Sequence, residues 1–315
     1  MEFAEPIFVM DEPVPSIRTP AGAAPKRPRE LEDWLNFRVY HPLAWHLARA
    51  LSRTPVTPNM VSIIGALLVV VAGIAYTQPG GLSYPWSAAL GMALHMSWHV
   101  VDGADGDLAR LTGKASPVGE MVDGICDYGS HIVLYFILAA LLQAQIGWAA
   151  WPIMVVAGIS HIVQSNHIEV QRRSYQWWYY DKPWLKTTHG AQDSATRKGG
   201  LGGLASAYLA VAAGVTPITA ALDTEKEHRS GDPAAMERFR QAIAGQIAPL
   251  AGIWRYLGPN PRAIVLGLGM FAGSPIWFFA YQAVVLNILL LISIRTHNRA
   301  WSAAANDLAA EGRAG

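Results

Sequence analysis

Between Asp127 and Glu169 the chain carries no Asp, Glu, Lys or Arg. A run of that length, residues 128–168, accommodates two membrane-crossing helices back to back, since one span needs about 20 apolar residues. Residues 59–77 are also free of charge and close to the length of one span. A further charge-free run lies between Arg262 and Arg295, broken at Gly273-Ser274-Pro275. It reads as a hairpin of two spans, the first extended back to about Tyr256. The whole composition agrees, with 52% hydrophobic and 15% charged residues, against a usual charged share of about 25%. A formal net charge of +1 argues against a nucleic-acid binder, which would show a concentrated basic surface. Cys126 is the only cysteine, so no intrachain disulfide forms, and it reads as a small packing residue.

Taken in order, residues 1–30 are Pro-rich and lack an apolar core, so they read as a disordered arm and not as a cleaved signal peptide. Residues 31–51 read as a helix with Trp34, Leu35, Leu43 and Leu47 toward one side and a bend at Pro42. Such a helix lies in the membrane interface or on a plain surface. Thr57-Pro58 is a helix start, a hydroxyl N-cap before a proline at the first helical position. A second span runs from about Tyr84 into an acidic stretch, and Ser116-Pro117 restarts the helix. The two spans of residues 128–168 join near 143–147, and Gln171-Arg172-Arg173 closes the fourth. Trp177, Trp178, Tyr179, Tyr180 and Trp184 read as an interfacial belt. In the amphipathic segment 234–254, Met236, Phe239, Ile243, Ile247, Leu250 and Trp254 repeat at helical spacing. The tail after Thr296 is polar and expected to fray. His131, His161 and His167 read as hydrogen-bonded packing residues, with His131, one turn beyond Asp127, the best exception.

The three short connections 77–85, 143–147 and 273–275 contain no Lys or Arg. Basic residues crowd the other side: Arg49, Arg53, Arg110, Lys114, Arg172, Arg173, Arg255, Arg262, Arg295 and Arg299. The positive-inside rule then predicts six spans with both termini in the cytoplasm. Counting residues 201–222 as a span would export a basic loop, so they are assigned to a cytoplasmic insert. The expected fold is all-α and polytopic: a Pro-rich arm (1–30), an interfacial helix and spans 1–4 (31–171), a cytoplasmic helical insert (172–255), spans 5–6 (256–295) and a polar tail (296–315). Gly269 and Gly273 form a small-xxx-small step, suited to close helix packing or to a homodimer.

The chemistry concentrates in residues 102–127, DGADGDLARLTGKASPVGEMVDGICD. On a helix Asp102, Asp105, Gly106 and Ala109 share one face, and Asp123 and Asp127 stand one turn apart on the next. Carboxylates this dense at a membrane are expensive and cannot all stay ionised without a cation. Oxygen ligands with no Cys or His between them favour Mg²⁺, Mn²⁺ or Ca²⁺ over zinc. An EF-hand loop does not fit, because its acids alternate at every second residue and these stand three apart. Gly106 and Gly119 allow backbone or phosphate to approach closely, and Arg110 offers a planar fork of donors for a phosphate oxygen.

The spacing D-x2-D-G-x2-A-R-x8-G-x3-D-x3-D resembles the signature of the CDP-alcohol phosphotransferases, membrane enzymes of phospholipid synthesis. Asp102, Asp105, Gly106, Ala109, Arg110, Gly119, Asp123 and Asp127 fill every fixed slot. The resemblance implies two Mg²⁺ or Mn²⁺ ions, with Asp102, Asp105 and Asp123 as ligands and Asp127 as both ligand and general base. It also places Pro58 and Asn59 near the nucleotide. The implied reaction passes a phosphatidyl group from CDP-diacylglycerol to a small polar alcohol and releases CMP. Two cues favour this direction: the Asp107-Leu108-Ala109-Arg110 form and the moderate chain length. The reverse pairing moves a head group from a CDP-alcohol to diacylglycerol or ceramide. Implied partners are the CDP-linked substrate and membrane lipids, and no nucleic acid. The implied location is a membrane, the bacterial inner one, with the site at its cytoplasmic face. Two rivals fit less well. An aspartate-rich membrane prenyltransferase has its acidic motifs far apart in the chain, and a cation transporter places its acids in broken helices at the bilayer midplane.

Overall fold

A computed structural model describes residues 27–182 and 218–314. The reading of residues 1–26 as an arm, and those of Trp184 and of residues 201–217, lie outside that range. Among the described residues the regular elements are all helices: α1 (His41–Leu51), α2 (Pro58–Tyr76), α3 (Trp86–Leu111), α4 (Pro117–Ile146) and α5 (Ala150–Tyr180), then α6 (Ile218–Arg229), α7 (Pro233–Gly245), α8 (Ile247–Leu257) and α9 (Pro259–Phe271). The chain ends in α10 (Ile276–Ala280), a π turn at Tyr281–Val285 and α11 (Leu286–Ala314). The expected start signals hold. The Thr57 and Ser116 side chains cap α2 and α4 by accepting from Met60 N and Gly119 N, each ahead of a proline in the first turn.

Neighbouring helices run antiparallel. Ser62 meets Asp105, and a Cβ at Gly65 would touch Trp98, which fixes α2 against α3. Tyr135 meets His161 and Gln143 meets Trp151, which fixes α4 against α5 across a turn at Gly147, where φ is +68°. α9 folds back on α10 and the π turn that follows it, across Gly273 with φ +82°. The three connections without Lys or Arg come together at one end of this bundle. Tyr84 Oη donates to Phe271 O, and Gln145 bonds both Gly273 O and Ser274. The acidic stretch lies at the opposite end.

Three helical stretches are long and apolar enough to cross a membrane: Pro58–Tyr76, Val118–Tyr180 and Ile276–Ala310. The second contains two helices folded back on each other. α3 is not among them: His95 and His99 lower its hydropathy, and its last turns carry Asp102, Asp105, Asp107 and Arg110. α9, with 13 residues, covers only about 20 Å at 1.5 Å per residue. Large apolar side chains cover the outward faces of this bundle, among them Ile63, Leu67, Val71, Ile125, Ile132, Val156, Ile159 and Ile288. An outward apolar face is the mark of a helix solvated by lipid.

A second core is built beyond the end of the bundle that holds the acidic stretch. Met236, Phe239, Ile243, Ile247, Leu250 and Trp254 are all buried, as their spacing predicts, but on two helices that break at Gln246. They pack on Tyr175 and Trp178 of α5 and on Ala300, Trp301, Ala304 and Leu308 of α11. The aromatic belt is therefore corrected for Trp178. Trp178 is fully buried, donates to Asp223 at 2.7 Å and meets Trp301 edge to face. The frayed tail is corrected too. His297, Trp301, Ala304 and Leu308 recur at helical spacing and lie inside this core, so the last helix runs to Ala314.

Pro42 falls in the first turn of α1, directly after a π turn at Asn36–Tyr40 in which His41 N bonds Asn36 O. Three smaller expectations change. The inward face of α1 is Ala44 and Ala48, while Trp34 and Leu43 point outward. The helix read back to Tyr256 starts at Pro259, because Gly258-Pro259 ends α8. Gly269 packs against Trp277 of its own hairpin and Gly273 forms the turn, so the step is used within the chain.

Phe239→Ala and Trp301→Ala each remove a fully buried ring. Each is expected to cost about 3–5 kcal/mol, read as a drop in the denaturant midpoint of the purified protein. Trp277→Ala, at a side chain that is 59% exposed, is the control expected to move it little. Equal midpoints for all three variants would mean that this second core contributes little to the fold.

Candidate active site

α3 and α4 bring the carboxylates of the acidic stretch together. Ligand oxygens of Asp102, Asp123 and Asp127 all lie within 4.8 Å of one another. Asp105 sits beside them facing Asp123, and both its oxygens are engaged. Oδ2 accepts from Ser62 Oγ at 2.6 Å, and Oδ1 accepts from the Gly106 N–H. That anchoring holds Asp105 out of the tightest group while leaving lone pairs on both oxygens. No Lys or Arg pairs with any of the four among the described residues; Arg110 pairs instead with Asp107. Four oxygen-donor carboxylates without a protein cation fit hard divalent ions.

The surrounding residues fix these groups. Trp98 Nε1 donates to Asp127 Oδ1 at 3.3 Å, and His131 Nδ1 donates to the Asp127 carbonyl at 2.8 Å. His131 is thus a hydrogen-bonded packing residue, as are His161, bonded to Tyr135, and His167, bonded to Ser293. Ser62 reaches Asp105 from the first turn of α2, where its hydroxyl also bonds the Pro58 carbonyl. Pro58 and Asn59 therefore stand next to the acidic group. A Cβ at Gly119 would lie 3.7 Å from Asn59 Oδ1, so α2 and α4 approach closely there. A Cβ at Gly106 would lie 3.4 Å from the Arg110 guanidinium, so the missing side chain makes room for that group. Ala109, half-buried, follows on the same helix, and its carbonyl accepts from Lys114 N.

Sequence reasoning passed over Ser62, Trp98 and Asp107. The signal for Ser62 was its place one turn inside a Pro-Asn helix start. Asp107 was the acidic residue left out of the helical pattern, and it is fully buried and holds Arg110. Arg262 also differs from expectation. It is not a surface cation but is 5% exposed, bonded to Gln282, Ser165 and Gln164 inside the bundle.

A family model described as CDP-alcohol phosphatidyltransferase matches residues 55–192. A search of curated proteins gives no match to the chain. The matched stretch holds α2 to α5, and with them every residue of the acidic group and its neighbours Pro58, Asn59, Ser62 and Trp98. Residues 55–192 thus match the CDP-alcohol phosphatidyltransferase domain, a family of enzymes that transfer substituted phosphate groups.

Proposed function

We propose that the protein transfers a phosphatidyl group from CDP-diacylglycerol to a small polar alcohol, releasing CMP. The observation that carries this reading is the convergence of Asp102, Asp123 and Asp127, with Asp105 beside them, at one end of an apolar bundle. There a water-soluble alcohol and a lipid-borne donor can meet. Asp102, Asp105, Asp123 and Asp127 would hold two Mg²⁺ or Mn²⁺ ions, whose chemistry there would be to offset the diphosphate charge and polarise the phosphorus. Asp127, oriented by Trp98 through one oxygen, takes the proton of the acceptor hydroxyl. The hydroxyl oxygen bonds to the phosphorus distal to cytidine, the bond from that phosphorus to the bridging oxygen breaks, and CMP leaves with the electron pair. Arg110 contacts phosphate oxygens, while Pro58, Asn59 and Gly119 line the nucleotide side.

The same reading gives six membrane spans, α2 to α5, α9 and α10–α11, with the segment before α2 in the interface. The clustering of the three uncharged connections at one end supports it, as does the outward position of Trp34 and Leu43. The acidic end and the helices of 172–255 then face the cytoplasm, in a bacterial inner membrane. With Cys126 replaced by Ala, a cysteine at Ser230 is expected to label only from the cytoplasmic side and one at Gly80 only from the opposite side. Labelling of position 230 from outside would overturn the span count.

The substrate assay is direct. Purified protein with Mn²⁺ and labelled CDP-diacylglycerol is offered glycerol 3-phosphate, inositol, inositol phosphate or serine in turn. A parallel set pairs CDP-choline, CDP-ethanolamine or CDP-inositol with diacylglycerol or ceramide. CMP and a new lipid are expected in the first set. Their appearance only in the second would reverse the pairing and leave the chemistry of the carboxylates intact.

A further inference from the structure

The segment ahead of α1 reaches into the mouth of the site. Its path is held at several points. Glu30 accepts from Tyr175 and Tyr180, Leu31 is buried in the second core, and Asp33 accepts from Asn260 at 2.7 Å. Arg27, at the near end of this strap, donates to Asp107 Oδ1 at 3.0 Å. Its other terminal nitrogen lies 2.7 Å from His41 Nδ1, and His41 in turn bonds Glu32. Asp107 Oδ1 also accepts from Arg110, so one carboxylate oxygen, fully buried, holds two guanidiniums side by side. The second oxygen, Oδ2, is buried without a partner.

This is an uneven arrangement of charge. A carboxylate that bound one arginine through both oxygens would use up that guanidinium's fork. Sharing a single oxygen leaves most donors of Arg110, whose side chain is 55% exposed, turned outward. Arg27 and Arg110 therefore stand side by side on one carboxylate oxygen, and Glu32 on the same strap is taken up by His41. Cations gathered against their own repulsion beside a diphosphate-handling site suit phosphate oxygens.

We propose that Arg27 completes, with Arg110, a clamp for phosphate oxygens of a substrate, and that Asp107 is the positioning residue that sets the two guanidiniums. The proposal rests on the phosphotransferase reading and deepens it, because Arg27 lies outside the family-matched residues. The phosphate belongs either to the nucleotide-linked donor or to a phosphorylated acceptor.

The test is calorimetric titration of the full chain in nanodiscs with Mn²⁺, using CDP, CMP and inorganic phosphate, for wild type, Arg27→Gln and Arg27→Lys. Arg27→Gln is expected to weaken at least one ligand by about tenfold, the scale of one charge-assisted bond, with partial recovery in Arg27→Lys. Equal weakening of CDP and CMP places the clamp on the phosphate next to the nucleoside, and weakening of CDP alone places it on the distal one. Weakening of inorganic phosphate alone assigns it to a phosphorylated acceptor. Unchanged affinity for all three, with only a lower melting temperature, would make the strap purely structural and overturn the proposal. Should wild type bind phosphate through Arg27 but neither nucleotide, the clamp stands and the nucleotide reading falls. No binding of any of the three overturns both.

Discussion

Asp127→Asn is expected to lower CMP release by roughly a thousandfold, the scale of a lost general base, while CDP binding stays measurable. The amide keeps an oxygen that can accept from Trp98 Nε1, and the His131 bond goes to the backbone carbonyl, so the local geometry survives. What the amide cannot do is take the proton of the attacking hydroxyl. Single-turnover CMP release, measured beside CDP titration, separates the two effects. Turnover at the wild-type rate would remove Asp127 from the chemistry, and equal loss of binding and rate would make it a ligand only.

Removal of divalent metal is expected to have an effect as large. With no Lys or Arg paired to Asp102, Asp105, Asp123 or Asp127 among the described residues, no described cation offsets their charge when a diphosphate arrives. Chelation should abolish turnover, and added Mg²⁺ or Mn²⁺ should restore it. Asp105→Asn should impair both binding and rate, because it alters a carboxylate tied by Ser62 and the Gly106 N–H next to Asp123. Ser62→Ala gives the milder version, a loss of about tenfold or less in rate, for one hydrogen bond worth roughly 0.5–1.5 kcal/mol. Full activity after exhaustive chelation would rule out metal-assisted transfer.

The readable part of this chain was the part written in spacing. Carboxylates three and four apart on a helix must share a face, so α3 and α4 and their acidic ends followed from residues 102–127 alone. The same rule found the buried stripe from Met236 to Trp254. Where hydrophobicity was read as membrane contact, it misled at Trp178, because an aromatic residue at a membrane edge and one in a core look alike until the partner is known. That partner, Trp301, lies in a tail that looked polar, since Ala300, Ala304 and Leu308 are spaced among charged and small residues. Arg262 misled for the opposite reason: Gln164, Ser165 and Gln282 accept its hydrogen bonds from distant positions in the chain. Asp107 was legible as an acid but not as the holder of Arg27, because that bond closes a separation of 80 residues.

The most direct measurement is a Mn²⁺ titration of the purified protein followed by electron paramagnetic resonance, comparing wild type with Asp123→Asn. Asp123 is in the tightest group of ligand oxygens and also faces Asp105. Saturable Mn²⁺ binding by wild type, weakened at least about tenfold in the variant, the scale of one lost charged ligand, is the predicted result. Identical binding in the two proteins, or none in wild type, would contradict the assignment of these carboxylates as the metal centre of the transfer.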